Sequence, residues 1–403
     1  MKIPSIDISN YDYPLPEERI AQYPLQYRDR SKLLVYQKGK ISEHVFQNIK
    51  DLLPSDSLLV MNNTRVIAAR LYFKKETGAT IEVFCLEPVI PNDYALVFST
   101  RSHCRWKCLV GNLKKWRNGR IGFEMFLGGD KVRVEAQQVE RQTDAVIVDF
   151  HWNGDYSFSE ILQHAGELPL PPYLNRKSEE RDRLTYQTVY GKIDGSVAAP
   201  TAGLHFTDEI FDMLHKNGIE TAEITLHVGA GTFKPVKSDN IAEHTMHSEV
   251  LSVSRRVIQQ MYDHHNNITA VGTTTVRTLE SLYYIANKIY QQKIKEPKQF
   301  FVEQWEPYGN NSLLTSQQAL EVLLEYLENT NQEHIYGSTA LLIMPGFQLR
   351  YINRLVTNFH QPRSTLLLLV SAFVGDDWRK IYNYALENNF RFLSYGDSCL
   401  ILR

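Results

Sequence analysis

Cysteine is scarce in this chain: four in 403 residues, Cys85, Cys104, Cys108 and Cys399. That is too few for a disulfide framework, and a reducing, cytoplasmic setting is expected. Long apolar runs are also missing. The longest, Leu366 to Val374 with Ser371 inside it, falls short of the roughly 20 residues that span a bilayer, so it is expected to be a buried element and no membrane contact is anticipated. The first residues, Met1 to Ser5, lead into Asp7 and Asp12 without the apolar core of an export signal. Excess charge of one sign is absent too, since 44 basic less 46 acidic residues leave −2. No net basic field attracts nucleic acid, and any polyanion must be held by a local patch. Neither internal repeats nor low-complexity tracts occur, which excludes solenoid architectures.

What is present is a globular composition, 43% apolar and 22% charged, with enough apolar surface to offset chain entropy. The length favours about two or three domains. Leu33–Tyr36 and Ile41–Phe46 flank Lys38-Gly39-Lys40 and predict a hairpin. Further strands are expected at Leu58–Met61, Val66–Leu71 and Ile81–Leu86, and residues near 70–150 suit a small β-barrel or sandwich. From about Tyr156 strands alternate with helical stretches, which argues for a layered α/β sheet. Thr207 caps a helix with Asp208 and Glu209 in its first turn, Ile210 and Leu214 on one face and Gly218 at its end. Alternation over Thr221–Val228 predicts a strand, followed by strands at Ile268–Val271, Leu341–Met344 and Leu355–Phe359. An appended helix carries Leu320, Leu323, Leu324 and Leu327, with Thr315 and Gln318 as a capping box.

Several strand ends carry chemistry. His205 precedes the capped helix, where a positive helix end favours the neutral ring; it is either an acid–base group or a packing histidine. His227 leads into Gly229-Ala230-Gly231-Thr232, small residues that admit a ligand or simply form a turn. The continuation Phe233-Lys234-Pro235 excludes a dinucleotide fingerprint. Thr273 and Thr274 open a helix and suit an anionic group, while Arg277 either pairs with Glu280 on a solvated face or reaches the ligand. His360 and Arg363 sit just before a helix capped by Ser364 or Thr365. Tyr395 and Asp397 meet at a turn, either facing a cationic ligand or only shaping the chain.

Between positions 101 and 120 lie Arg101, Arg105, Lys107, Lys114, Lys115, Arg117 and Arg120, without an acid, interleaved with Trp106 and Trp116. This reads as an RNA surface in which cations meet phosphates and indoles stack on bases, or as a charge-protected barrel edge. His103-Cys104 and Cys108 lack a second ligand pair, so no metal is assigned. His244 and His247 with Glu243 and Glu249 are the nearest approach to a metal hydrolase.

The stretch Gly195 to Thr207 resembles the S-adenosylmethionine:tRNA ribosyltransferase-isomerase family of queuosine biosynthesis. The likeness extends through Ile20–Leu25, Asn63–Ile67, Leu168–Tyr173, Thr225–Phe233, Gly272–Thr274, Val276-Arg277, Thr357–His360, Ser364–Leu366 and Ser394–Asp397, in order and over essentially the whole chain. The resemblance implies a discontinuous α/β catalytic domain over 1–69 and 151–403 and an inserted β-barrel over 70–150. It implies transfer and isomerisation of the ribosyl group of S-adenosylmethionine onto 7-aminomethyl-7-deazaguanine in tRNA, giving epoxyqueuosine, adenine and methionine. S-adenosylmethionine is then a consumed cosubstrate, with no recycled cofactor, and the expected partner is tRNA bound to a monomer.

On that reaction His205 and His227 are the expected acid–base pair acting on the ribose carbon beside the sulfonium. Asp397 and Tyr395 are expected at the sulfonium, Thr273, Thr274 and Arg277 at the methionine carboxylate, and His360 and Arg363 at the substrate. Asn63 and Ala68 stand where the family reads aspartate and proline, Gly337–Phe347 lacks expected acidic and tyrosine residues, and about 40 residues before it resemble an insertion. A non-catalytic paralogue that binds RNA or an adenosyl ligand is the alternative reading.

Overall fold

Lys38 and Gly39 both take positive φ, 45° and 83°, and turn β1 (Lys32–Gln37) back onto β2 (Lys40–Val45) in the expected hairpin. The structure, a computed structural model, describes residues 5–75, 77–143, 145–229, 236, 238–309 and 313–403. β3 (Leu58–Asn62) is buried at every position, as a central strand covered on both faces must be. β4 (Thr64–Val66) follows. The chain then builds β5 (Arg70–Lys74), β6 (Thr80–Ile90), β7 (His103–Gly111), β8 (Arg120–Leu127), β9 (Asp130–Arg141) and β10 (Val146–Trp152). These six close into an antiparallel barrel in the order β10-β7-β6-β5-β8-β9. α1 (Tyr94–Ser99) lies between β6 and β7, and α2 (Phe158–Ala165) starts on a capping box of Ser157 and Glu160.

After α3 (Asp182–Thr185) and β11 (Ile193–Ser196), strands and helices alternate: α4 (Asp208–Lys216), β12 (Glu220–Leu226), β13 (Glu249–Ser254), α5 (Arg255–Asp263), β14 (Ile268–Val271) and α6 (Thr273–Gln292). The rest are β15 (Phe300–Val302), α7 (Ser316–Asn329), β16 (His334–Thr339), β17 (Ile352–Asn358), α8 (Thr365–Val374), α9 (Asp377–Glu387) and β18 (Ser398–Leu402). The large sheet runs β15-β16-β13-β12-β3-β14-β17-β18-β1-β2. Its central neighbours β12, β3, β14 and β17 are parallel, so their C-terminal ends share one edge. One sheet face buries Leu33, Leu59, Met61, Val271 and Val356 against Phe206, Ile210 and Leu214 of the α4 region. Thr207 caps α4 through the Ile210 amide, as its sequence predicts.

The chain divides into one compact unit of Met1–Thr64, Thr185–Ile193 and Ala199–Arg403, and another of Arg65–Leu184 and Asp194–Ala198. Leu341–Met344 is not the strand its apolar run suggests. β16 ends at Thr339, and the buried stretch beyond it satisfies its backbone with side chains: Tyr308 Oη donates to Leu342 O at 2.9 Å, Arg277 Nε to Leu341 O at 3.1 Å. α7 begins with the expected Thr315–Gln318 capping box. Among the described residues, no helix is long and apolar enough to cross a membrane.

Candidate functional site

Parallel strands present their C-terminal ends, and the loops that leave them, on one side of a sheet, where an α/β fold gathers ligand groups. Here β12 ends before His227, β3 at Asn62, β14 before Gly272, and β17 at Asn358. Asn62 ties two of these ends together, donating from Nδ2 to Leu226 O at 3.0 Å and accepting from the Leu226 amide at 3.0 Å. Gly272 has φ 86°, a conformation that favours glycine, and leads into α6. A Cβ on it would stand 3.7 Å from Ala202 in the 3-10 turn Thr201–His205.

That turn brings His205 to the strand ends. Its Nδ1 lies 2.8 Å from Ser31 Oγ and its Nε2 3.2 Å from Asn358 Nδ2. The Asn358 amide nitrogen also donates to Leu393 O at 3.1 Å. A carbonyl only accepts, so Nδ2 is the donor, His205 Nε2 carries the lone pair, and Nδ1–H points at Ser31. Burial lowers the pKa of His205 to about 3, with the Arg391 and Arg28 guanidiniums opposing protonation further. The ring is neutral, as expected, although its basic nitrogen is already engaged. Ser31, Asn358, Arg28 and Arg391 were not singled out from the sequence. Asn358 alone had a signal, its place beside His360 in a strand-end motif.

His227 is buried at the end of β12, its amide bonded to Val250 O at 2.9 Å. The loop expected beyond it, Ala230-Gly231-Thr232 and on through Pro235, lies outside the described residues. Thr273 is buried at the α6 start, and Thr274 Oγ1 is buried without a hydrogen-bond partner among the described residues. His360 is held from three sides: Nε2 lies 2.8 Å from Thr357 Oγ1, its amide donates to Tyr382 Oη, and its carbonyl accepts from the Tyr13 hydroxyl. Burial lowers its pKa to about 4. Arg363 instead reaches Asp239 in an exposed ion pair at 3.1 Å.

Asp397, expected as a counter-charge for a sulfonium, proves to be a backbone clamp. Oδ1 accepts from the Lys32 amide at 2.9 Å and Oδ2 from the Arg391 amide at 2.8 Å, which joins the start of β1 to the turn before β18. Burial raises its pKa, against these two amides and the Arg391 and Lys32 charges. Tyr395 is buried nearby, its ring edge-on to Tyr186 at 5.7 Å.

The solvated Arg277–Glu280 pair does not form. Both side chains are buried and face different ways. Arg277 meets Glu249, and Glu280 accepts from the backbone amides of Arg350, Tyr351 and Ile352 at 2.8, 3.1 and 3.3 Å. Burial raises the Glu280 pKa to about 7. Arg277 and Glu249 line a cavity with His244, Met246 and His247, and neither Thr273 nor Thr274 lines it. Glu249 went unrecognised as the partner of Arg277 because 28 residues separate the two in sequence.

On the barrel, Trp106 and Trp116 are fully buried. An enclosed indole has no free face for a base, so the stacking role expected of both is corrected to core packing. Trp106 meets Phe98 and Phe158 at 5.7 Å each. The cations separate by partner, and Arg120 is paired with Glu135 at 3.1 Å. Arg101, Arg105 and Lys107 pair with Asp155, Asp149 and Glu87. Lys114, Lys115 and Arg117 are exposed and have no acidic partner among the described residues. His103, Asp149 and His151 bring ligand atoms within 4.8 Å of one another, but Arg105 already holds Asp149 through two bonds of 2.6 and 3.0 Å.

The family model described as queuosine biosynthesis protein matches residues 8–401, and the chain belongs to that family. A curated relative from Trichlorobacter lovleyi, named S-adenosylmethionine:tRNA ribosyltransferase-isomerase, is 37% identical over 402 residues, 98% of this chain and 99% of the relative. A crystal structure of an S-adenosylmethionine tRNA ribosyltransferase from Thermotoga maritima is 29% identical, with 98% of this chain and all of that one covered and a TM-score of 0.47.

Proposed function

We propose that this chain transfers and isomerises the ribosyl group of S-adenosylmethionine onto 7-aminomethyl-7-deazaguanine in a tRNA, yielding epoxyqueuosine and releasing adenine and methionine. The observation that carries the reading is the meeting of His205, Asn358 and the Gly272–Thr274 turn at one edge of a parallel sheet, in a chain of the queuosine biosynthesis family. S-adenosylmethionine is consumed, and tRNA is the macromolecular partner.

A sulfonium acidifies the carbon attached to it, so the reaction needs a neutral base rather than a strong one. His227, buried at the end of β12, takes that role, and the His205 lone pair accepts from Asn358. His205 stays uncharged near a cationic substrate and positions Asn358. The base removes the proton beside sulfur, the sugar rearranges, the aminomethyl nitrogen captures the ribosyl carbon, and the C–N bond to adenine breaks. Closure of the epoxide breaks the C–S bond, whose electron pair leaves with neutral methionine. Lys114, Lys115 and Arg117, exposed on the barrel, supply phosphate contacts.

Purified protein incubated with S-adenosylmethionine and tRNA bearing 7-aminomethyl-7-deazaguanine should yield epoxyqueuosine on nuclease digestion and mass spectrometry. Absence of product, with a related enzyme active in the same mixture, would refute the reading in favour of a binding paralogue.

A further inference from the structure

We infer that the cavity lined by the Arg277–Glu249 pair is the socket for the α-amino acid end of S-adenosylmethionine, with the methylene arm that leads to the sulfonium lying along its leucine wall. The inference rests on the proposed use of that cosubstrate.

The cavity is a narrow slot. Its volume is about 50 Å³. A space of that size suits an aliphatic arm better than a purine ring. Leu341, Leu342, Ile343, Leu366 and Leu369 form the apolar wall, and His244, His247 and Thr365 supply polar edges.

A charged pair is an expensive thing to bury unless each member has further partners. Arg277 spends one N–H on Glu249, donates Nε to Leu341 O at 3.1 Å and Nη2 to Thr339 O at 3.3 Å. Among the described residues three of its five donors are thereby used, and one N–H remains on each terminal nitrogen. Glu249 accepts from Arg277 and, at 3.3 Å, from the Gly229 amide, and its two oxygens retain further lone pairs. A cation and an anion side by side, each with spare capacity, complement an α-amino acid zwitterion: carboxylate to guanidinium, ammonium to carboxylate. The leucine wall then meets the methylene and S-methyl groups. The Gly229 contact sets the socket next to the strand end that carries His227, where the sulfonium carbon must lie for proton removal.

The test compares S-adenosylmethionine with 5′-methylthioadenosine, which lacks the amino acid end, by calorimetric titration of the full chain. Glu249→Gln removes one charge of the pair. Leu366→Trp fills the slot without altering charge, and Leu366 is only half buried, so this variant decides the matter should Glu249→Gln fail to fold. Each substitution should weaken S-adenosylmethionine at least tenfold and leave 5′-methylthioadenosine within twofold of the parent. Unchanged S-adenosylmethionine affinity in folded Leu366→Trp would overturn the socket while leaving the proposed reaction standing. A parent protein that binds neither compound would remove the reaction and the socket together.

Discussion

His205 is held between Ser31 and Asn358 as a neutral ring, Nδ1–H toward the serine hydroxyl at 2.8 Å and Nε2 accepting from the asparagine at 3.2 Å. Its pKa in the folded chain, about 3, lies below the ordinary 6.5. The unfolded chain therefore binds the proton first as pH falls, so the stability from the neutral ring is complete above pH 6.5 and is lost progressively toward pH 3. Between pH 8 and pH 5 the loss is about 2 kcal/mol. His205→Gln, which cannot titrate, should show a shallower fall in urea midpoint over that range. An unchanged slope would show that the ring takes up its proton in the native state.

Glu280 works in the opposite direction. Its folded pKa of about 7 is raised from 4.5, so the stability it contributes is present below pH 4.5 and is lost as pH rises through 7. The loss by pH 8 is about 3 kcal/mol. Glu280→Gln still offers an acceptor to the 350–352 amides, and its denaturation midpoint should exceed the parent's at pH 8 by far more than at pH 5. A constant difference between the two would contradict a protonated Glu280.

The hairpin, the capped helices and the strands of the inserted barrel were legible because their signals are local: Gly39 at a turn, Thr207 and Thr315 at caps, alternation along β12. His227 was legible as a strand-end residue and His205 as the residue ahead of a capped helix. Contacts at long range were not. Arg277 finds Glu249 across 28 positions and Asp397 finds the Lys32 amide across 365, whereas spacing along one helix or one turn suggested nearer partners. Trp106 misled because alternation shows that a strand has two faces without showing which residues turn inward, and Trp116 because it lies in the turn between β7 and β8, where no periodicity reports burial. Only closure of the barrel settles that.

Gly203, within the turn that carries His205, has no room for a side chain. A Cβ there would lie 1.9 Å from Tyr190 Oη and 2.8 Å from Thr188 Cγ2. Tyr190 is buried among Phe206 and Phe211 and cannot swing clear. Gly203→Ala should cost about 2 kcal/mol or more and displace His205, lowering kcat beyond what the stability loss explains at a temperature where the variant is folded. Full activity in this variant would mean that the turn repacks without moving the ring.

The barrel's cations should divide by partner. Lys114, Lys115 and Arg117 have no acid to neutralise them among the described residues, and Lys75 joins the same surface by donating to Lys115 O at 2.9 Å. Each phosphate contact contributes about 0.7 to 0.9 to the slope of log affinity against log salt. Replacing Lys114, Lys115 and Arg117 by alanine should weaken tRNA binding and flatten that slope by about 2. The matching triple replacement of Arg101, Arg105 and Lys107 should change it much less, since Asp155, Asp149 and Glu87 already occupy those charges. Filter binding across a salt series separates the two variants. Equal losses from both would mean that tRNA displaces the acidic partners and reads the whole barrel face.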